Sequence, residues 1–197
     1  MLNWRRLLFI VTVLALAVCI PAAADAGPFE DGKAAYDQQD YKTALKLWGR
    51  LAANGDAEAQ RMMGILCRDG LGVAQDNAEA LNWFRLAADK GNAVAQYDIG
   101  LMYRDGSGMA QNYAEAVKWL RLAAGQGYAP AQFEVGTAYK LGLGMTPDNI
   151  RAYLWYSYAA ARDNNYVRSR DILAHELTPD QIDAAKRLAI ELQPVKN

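Results

Sequence analysis

The strongest constraint on this chain is one pattern that occurs three times between Asp56 and Asp163, at a fixed offset of 36 residues. Gln60, Gln96 and Gln132 align, as do Gly64, Gly100 and Gly136. The pairs Gly70/Gly72, Gly106/Gly108 and Gly142/Gly144 follow, then Ala80, Ala116 and Ala152, then Trp83, Trp119 and Trp155, and finally Ala87-Ala88, Ala123-Ala124 and Ala159-Ala160. A period of this length implies stacked supersecondary units, none of which can bury its apolar face alone. Residues 27–55 read as an atypical first copy with a shorter hinge, since Ala44, Leu47-Trp48, Leu51-Ala52 and Gly55 precede Ala80, Trp83-Phe84, Ala87-Ala88 and Gly91 by 36 residues. Full copies then run over 56–91, 92–127 and 128–163, and residues 164–197 form a C-terminal cap.

Within a copy the apolar and small residues recur at spacings of three and four, one stripe before the glycine pair and one after it. The expected fold is therefore all-α, a superhelix of tandem helical hairpins. The hinge glycines suit positive φ, the first ending one helix and the second turning the chain back. Gly64, Gly100 and Gly136 are expected to let backbones approach, with Trp83, Trp119 and Trp155 filling wider gaps. Asp76, Asn112 and Asp148 are placed to cap the second helix of each copy. Glu79 and Glu115 add the third position of a capping box, which Arg151 breaks in the last copy. Gly91 and Gly127 are expected to close the second helices. Val167 to Leu177 reads as a short helix, and Thr178-Pro179-Asp180-Gln181 opens another that carries Ile182, Ala185, Leu188, Ala189 and Leu192 before Pro194.

The N-terminal residues have the form of an export signal: Arg5-Arg6, an apolar run from Leu7 to Ile20, then Pro21 and small residues. Cleavage after Ala24 or Ala26 is expected, giving a signal peptide over 1–26, a periplasmic or secreted protein, and no stable membrane insertion afterwards. Removing it leaves Cys67 as a lone cysteine, expected to be a small buried hydrophobe.

The motif Ala-x-Ala-Gln-x-x-x-Gly-x-x-Tyr-x-x-Gly-x-Gly, followed by Ala-x-x-Trp-x-x-x-Ala-Ala-x-x-Gly, resembles the Sel-one-like repeat, a relative of the tetratricopeptide repeat. Its opening falls on Ala57-Glu58-Ala59-Gln60, Ala93-Val94-Ala95-Gln96 and Ala129-Pro130-Ala131-Gln132, and its tyrosine before the hinge on Tyr103 and Tyr139, with Cys67 in the first full copy. The resemblance implies an α-solenoid adaptor in protein complexes, often exported in bacteria and tied to envelope processes or signalling. Some cysteine-rich exported relatives are described as β-lactamase-like, which makes an envelope hydrolase acting on cell wall or β-lactams the alternative. This chain lacks their cysteine pattern.

The residues themselves offer little chemistry. Cys67 and His175 are the only nucleophile–base pair to consider, and they lie in different units. Asp69 and Asp105 are equivalent and precede hinge glycines, where accepting hinge N–H bonds accounts for them as well as paired carboxylate chemistry does. No Lys-Ser/Thr follows the Gly-x-Gly pairs, so they form no phosphate loop. No metal or cofactor is expected. A net charge of −1 without a basic run gives nucleic acid no footprint. The positions that vary between copies point instead to a partner-binding face: Arg61, Tyr97 and Phe133 at one site, and Arg68, Arg104 and Lys140 at another, with Met63, Ile65, Met102 and Thr137 nearby. They would give an extended peptide or helix a groove with aromatic anchors and a basic edge. Packing of Tyr97 and Phe133 between units is the competing role. The partner expected is another envelope or secreted protein or peptide, and assembly into a homo-oligomer stays open.

Overall fold

The computed structural model describes residues 27–191. Ten α-helices and one 3₁₀ turn fill this span, with no strand among the described residues. Helices α1 (Pro28–Asp37) and α2 (Tyr41–Ala53) form the first hairpin, and α3 (Ala57–Asp69) and α4 (Asn77–Ala88) the second. The third pairs α5 (Ala93–Asp105) with α6 (Tyr113–Gly125), and the fourth α7 (Ala129–Leu141) with α8 (Asn149–Ala160). A 3₁₀ turn at Asn164–Tyr166 leads into α9 (Val167–Glu176) and α10 (Pro179–Glu191), both packed on α8. From α1 to α9 each helix packs on the next in sequence, which is the all-α solenoid the repeat predicts. The expected signal segment 1–26 lies outside the described residues, as do Leu192 and Pro194. No helix among the described residues is long and apolar enough to cross a membrane.

The repeated glycines explain how the hairpins close. A Cβ at Gly64 would lie 2.6 Å from the Phe84 ring, one at Gly100 2.7 Å from Leu120, and one at Gly136 2.6 Å from Tyr156. In the short first copy Gly32 faces Trp48 in the same way, at 2.5 Å. Each first helix therefore offers a bare patch of backbone on which one large side chain of the second helix sits. The close backbone approach expected from the sequence is present at Gly100 and Gly136, where the carbonyls of Ala116 and Ala152 would lie 3.3 and 3.2 Å from an added Cβ, and the large side chain comes nearer still. That side chain is the residue after the aligned tryptophan. Phe84 and Leu120 are buried, whereas Trp83 and Trp119 are half-buried and lie at the margin of the core.

The second hinge glycine joins one hairpin to the one before it. Gly72, Gly108 and Gly144 all have φ of 70–76°. A Cβ on Gly72 would lie 3.0 Å from the Tyr41 backbone, and one on Gly144 2.5 Å from that of Tyr113, while Gly108 abuts Asn77. These partners open the second helix of the preceding hairpin, so the position needs both left-handed backbone and no side chain. The buried glutamines add a matching tie. Nε2 of Gln60, Gln96 and Gln132 donates to the carbonyls of Ala52, Ala88 and Ala124, at 3.1, 3.3 and 3.2 Å. Each adds a second bond to a helix-end carbonyl that already accepts the N–H of Gly55, Gly91 or Gly127 at 2.9 Å.

Helix caps follow the expectation at one end of the hinge and depart from it at the other. Gly70, Gly106 and Gly142 cap α3, α5 and α7 in the left-handed conformation. Asp76, Asn112 and Asp148 accept N–H bonds at the starts of α4, α6 and α8. The reciprocal half of a capping box is not what holds these turns. The cap residue's own N–H crosses the hinge to the carbonyl of Cys67, Tyr103 or Tyr139, at 2.8–2.9 Å. The third position is thereby released, Glu115 pairs with Lys118, and Arg151 fits as well as glutamate. Gly91 and Gly127 fall three and two residues beyond the ends of α4 and α6 and turn the chain after them. At the C-terminus Thr178 and Gln181 do form the reciprocal box, with bonds of 2.9 and 3.3 Å.

Candidate functional site

The two sets of varying positions lie seven residues apart on α3, α5 and α7, two turns along one side of each helix. Arg68, Arg104 and Lys140 form one row. Each reaches an acid on the next odd-numbered helix: Arg68 approaches Asp98 at 3.8 Å, Arg104 Glu134 at 2.9 Å, and Lys140 Glu176 at 2.9 Å. Arg68 and Arg104 also grip the adjacent Asp69 and Asp105 through two bonds each. Asp69 and Asp105 thus hold arginine side chains, not the hinge N–H groups expected of them. The basic edge foreseen from sequence is a ladder of internal ion pairs that runs from hairpin to hairpin.

The other row changes character along the stack. Arg61 donates to Glu58 at 2.6 Å, and Glu58 in turn accepts from Asn92 at 2.9 Å. Tyr97 meets Tyr128 edge to face, with centroids 5.3 Å apart. Phe133 lies between Tyr156 and Tyr166, stacked at 5.1 and 4.9 Å. Both aromatics are half-buried, so the packing role is realised. Met63 and Met102 belong to the core, Ile65 packs at its margin, and Thr137 hydrogen-bonds to the Phe133 carbonyl.

Asp98 is the residue that sequence reasoning missed. It is 9% exposed, and among the described residues its Oδ2 has no hydrogen-bond partner. Arg61 and Arg68 both face it at 3.8 Å, with their closer bonds committed to Glu58 and Asp69. Burial pushes its carboxyl up to about 6, and the two guanidinium groups offset this only in part. Glu58 shows the opposite balance: burial favours its neutral form, but hydrogen bonds from Arg61 and Asn92 outweigh that and hold it below the usual range. Burial, with Glu134 nearby, pushes Tyr97 up to about 12. Arg104 is raised by its bond to Asp105, against the effect of burial, and further by Glu134. The available signal was an arginine followed 30 residues later by an acid, present twice as Arg68/Asp98 and Arg104/Glu134.

Cys67 is buried in the α3–α5 core, where desolvation and then Glu79 raise its thiol, whereas His175 is exposed on α9. The fold does not bring them together as nucleophile and base. Among the described residues no three His, Cys, Asp or Glu side chains gather as a metal site would require. What the odd-helix face offers is an array of paired charges and stacked rings held by contacts within the chain.

This architecture is found in a solved structure. The chain is similar to a Sel1 repeat protein from Oxalobacter formigenes, at 33% identity and a TM-score of 0.69, covering 73% of this chain and 60% of that one. It also aligns with a protective antigen of uropathogenic Escherichia coli displaying an SLR fold, at 22% identity and a TM-score of 0.42, over 82% of this chain and 51% of that one. A third alignment is with an immunity protein from Pseudomonas aeruginosa, at 18% identity and a TM-score of 0.34, over 66% and 65% of the two chains. No curated protein matches. The Sel1 repeat family matches in four consecutive copies, at residues 21–56, 57–92, 93–128 and 129–164, and the chain belongs to that family.

Proposed function

We propose that the chain is a non-catalytic scaffold of the bacterial cell envelope that holds another exported protein or peptide on the face formed by α3, α5 and α7. The observation that carries this is the alignment of equivalent positions into two rows on one face, where inter-hairpin ion pairs and aromatic stacks fix the side chains in advance. A surface of that kind loses little conformational entropy on binding and suits an extended ligand laid across several repeats. Export rests on the Arg5-Arg6 and Leu7 to Ile20 pattern.

A photo-crosslinking residue placed at Leu101, half-buried on α5 between Tyr97 and Arg104, tests the face in cells. Leu122, exposed on α6, is the control position. Adducts to a heterologous envelope protein from position 101 and not from 122 are expected. Adducts from 122 alone overturn the face, and adducts from neither overturn the scaffold. Mass spectrometry of the purified product checks export: loss of the first 24–26 residues is expected, and an uncleaved membrane-bound product overturns it.

A further inference from the structure

A second feature lies away from that face, where α6, α7 and α8 meet. Arg121, Tyr139, Arg151, Leu154 and Trp155 line an open cavity of about 390 Å³. The guanidinium carbons of Arg121 and Arg151 lie 5.6 and 5.9 Å from the centre of the one Tyr139 ring. Arg121 donates to the Tyr139 hydroxyl, which leaves the phenolic hydrogen to donate onward. Among the described residues Arg121 makes no ion pair, and Arg151 makes one, to Asp148 at 3.0 Å.

The chain supplies its own comparison. One copy earlier, Arg85 donates to Tyr103 at 2.9 Å in the same arrangement. There the position equivalent to Arg151 is Glu115, paired with Lys118 at 2.7 Å, and Lys118 stands where the last copy has the buried Leu154. The backbone accepts glutamate at this position, so closure of the hairpin does not require an arginine there. Both guanidinium groups line the one cavity, and an anion held there would offset their like charge.

We infer that the cavity at the α6–α8 junction binds an organic carboxylate carried on an apolar group. Guanidinium forks match a planar carboxylate in two-bond geometry. Two arginines less Asp148 leave a net charge of about +1, which suits a monoanion better than a phosphate carrying roughly −1.5 to −2. Trp155 and Leu154 form the wall for the apolar body. None of these residues belongs to the rows on α3, α5 and α7, so the site stands independently of the scaffold face.

Calorimetric titration of the full chain tests this with 3-phenylpropionate, its amide, an acetylated Gly-Gly-Phe peptide as free acid and as amide, and inorganic phosphate. The free acids are expected to bind, with each amide weaker by roughly tenfold or more. A tighter peptide acid identifies a chain terminus as the source, and a tighter phenylpropionate a free small acid. Arg151→Glu restores the residue of the two preceding copies and is expected to abolish binding with helicity intact; Arg121→Gln is the second variant, expected to weaken it by roughly tenfold. Amides that match the acids, phosphate that binds as tightly, no binding by either acid, or binding unchanged in both variants overturns the site. The Leu101 crosslink involves neither arginine, so its outcome and this one are read separately.

Discussion

The odd-helix face has two halves built on the same backbone slots. Toward the N-terminus the slot at Arg61 is filled by an ion-pair network through Glu58 and Asn92. Toward the C-terminus the equivalent slots at Tyr97 and Phe133 are filled by aromatic stacks with Tyr128, Tyr156 and Tyr166. The interface between repeats therefore does not depend on one chemistry at its rim. What is constant is deeper: the glycine under a large side chain, the glutamine tie and the second hinge glycine against the preceding hairpin.

The sharpest way to break the comparison is to delete one member of each half. Phe133→Ala removes a ring stacked on two others and is expected to cost about 3 kcal/mol in urea unfolding, near the lower end of the range for a buried phenylalanine because this one is half-buried. Arg61→Ala loses a partly exposed pair and is expected to cost about 1 kcal/mol or less. Equal losses would show that the aromatic half gains nothing from stacking.

A second test asks whether the deeper layer is indifferent to the half it serves. Gly64→Ala pushes a methyl into Phe84, and Gly136→Ala into Tyr156. Both are expected to lose about 2 kcal/mol, the usual range for overpacking, with thermal midpoints shifted alike. A loss confined to Gly136→Ala would tie the seat to the aromatic stack instead of to the hairpin.

This layer was legible in the sequence as spacing, whereas the rim was not. Gly64, Gly100 and Gly136, the hinge pairs and the alanine runs recur because backbone closure leaves them no alternative, so period alone locates them. Hinge capping was foreseen in its side-chain half only. The main-chain bond from Asp76 to Cys67 depends on how the hinge folds back and has no residue signature. The rim is set by pairs about 30 residues apart whose members differ between copies. Asp98 became visible only once α5 was seen beside α3, and Tyr128 only once it occupied the cap position held by Asp56 and Asn92 in earlier copies.

Asp98 turns a buried carboxylate toward Arg61 in the polar half, and pH exposes it. Burial pushes its carboxyl up to about 6 from the ordinary 3.8, so its contribution to stability is full below about 3.8 and is lost as pH rises through about 6. Asp98→Asn is expected to remove that dependence between pH 4 and 6. At pH 7.5 the variant is expected to be more stable by about 1 kcal/mol, since the loss of a charge facing Arg61 and Arg68 offsets part of the relief. A variant less stable than wild type at pH 7.5 would show that the two arginines more than compensate the buried carboxylate.

The smallest expected effect separates glycines that are needed from one that is not. Gly125 ends α6 within the aromatic half, and nothing lies within 4 Å of the space its Cβ would fill. The equivalent positions of the first and last hairpins carry Ala53 and Ala161. Gly125 lies outside the positive-φ set, so alanine meets no backbone penalty there and restricts the unfolded chain. Gly125→Ala is expected to raise stability by about 0.5 kcal/mol, reduced from a mid-helix gain because the last turn is only partly constrained. Set beside a loss at Gly64 and Gly136, a gain at Gly125 would show that glycine is retained in both halves where a side chain sits on it, and not as a general source of flexibility between repeats.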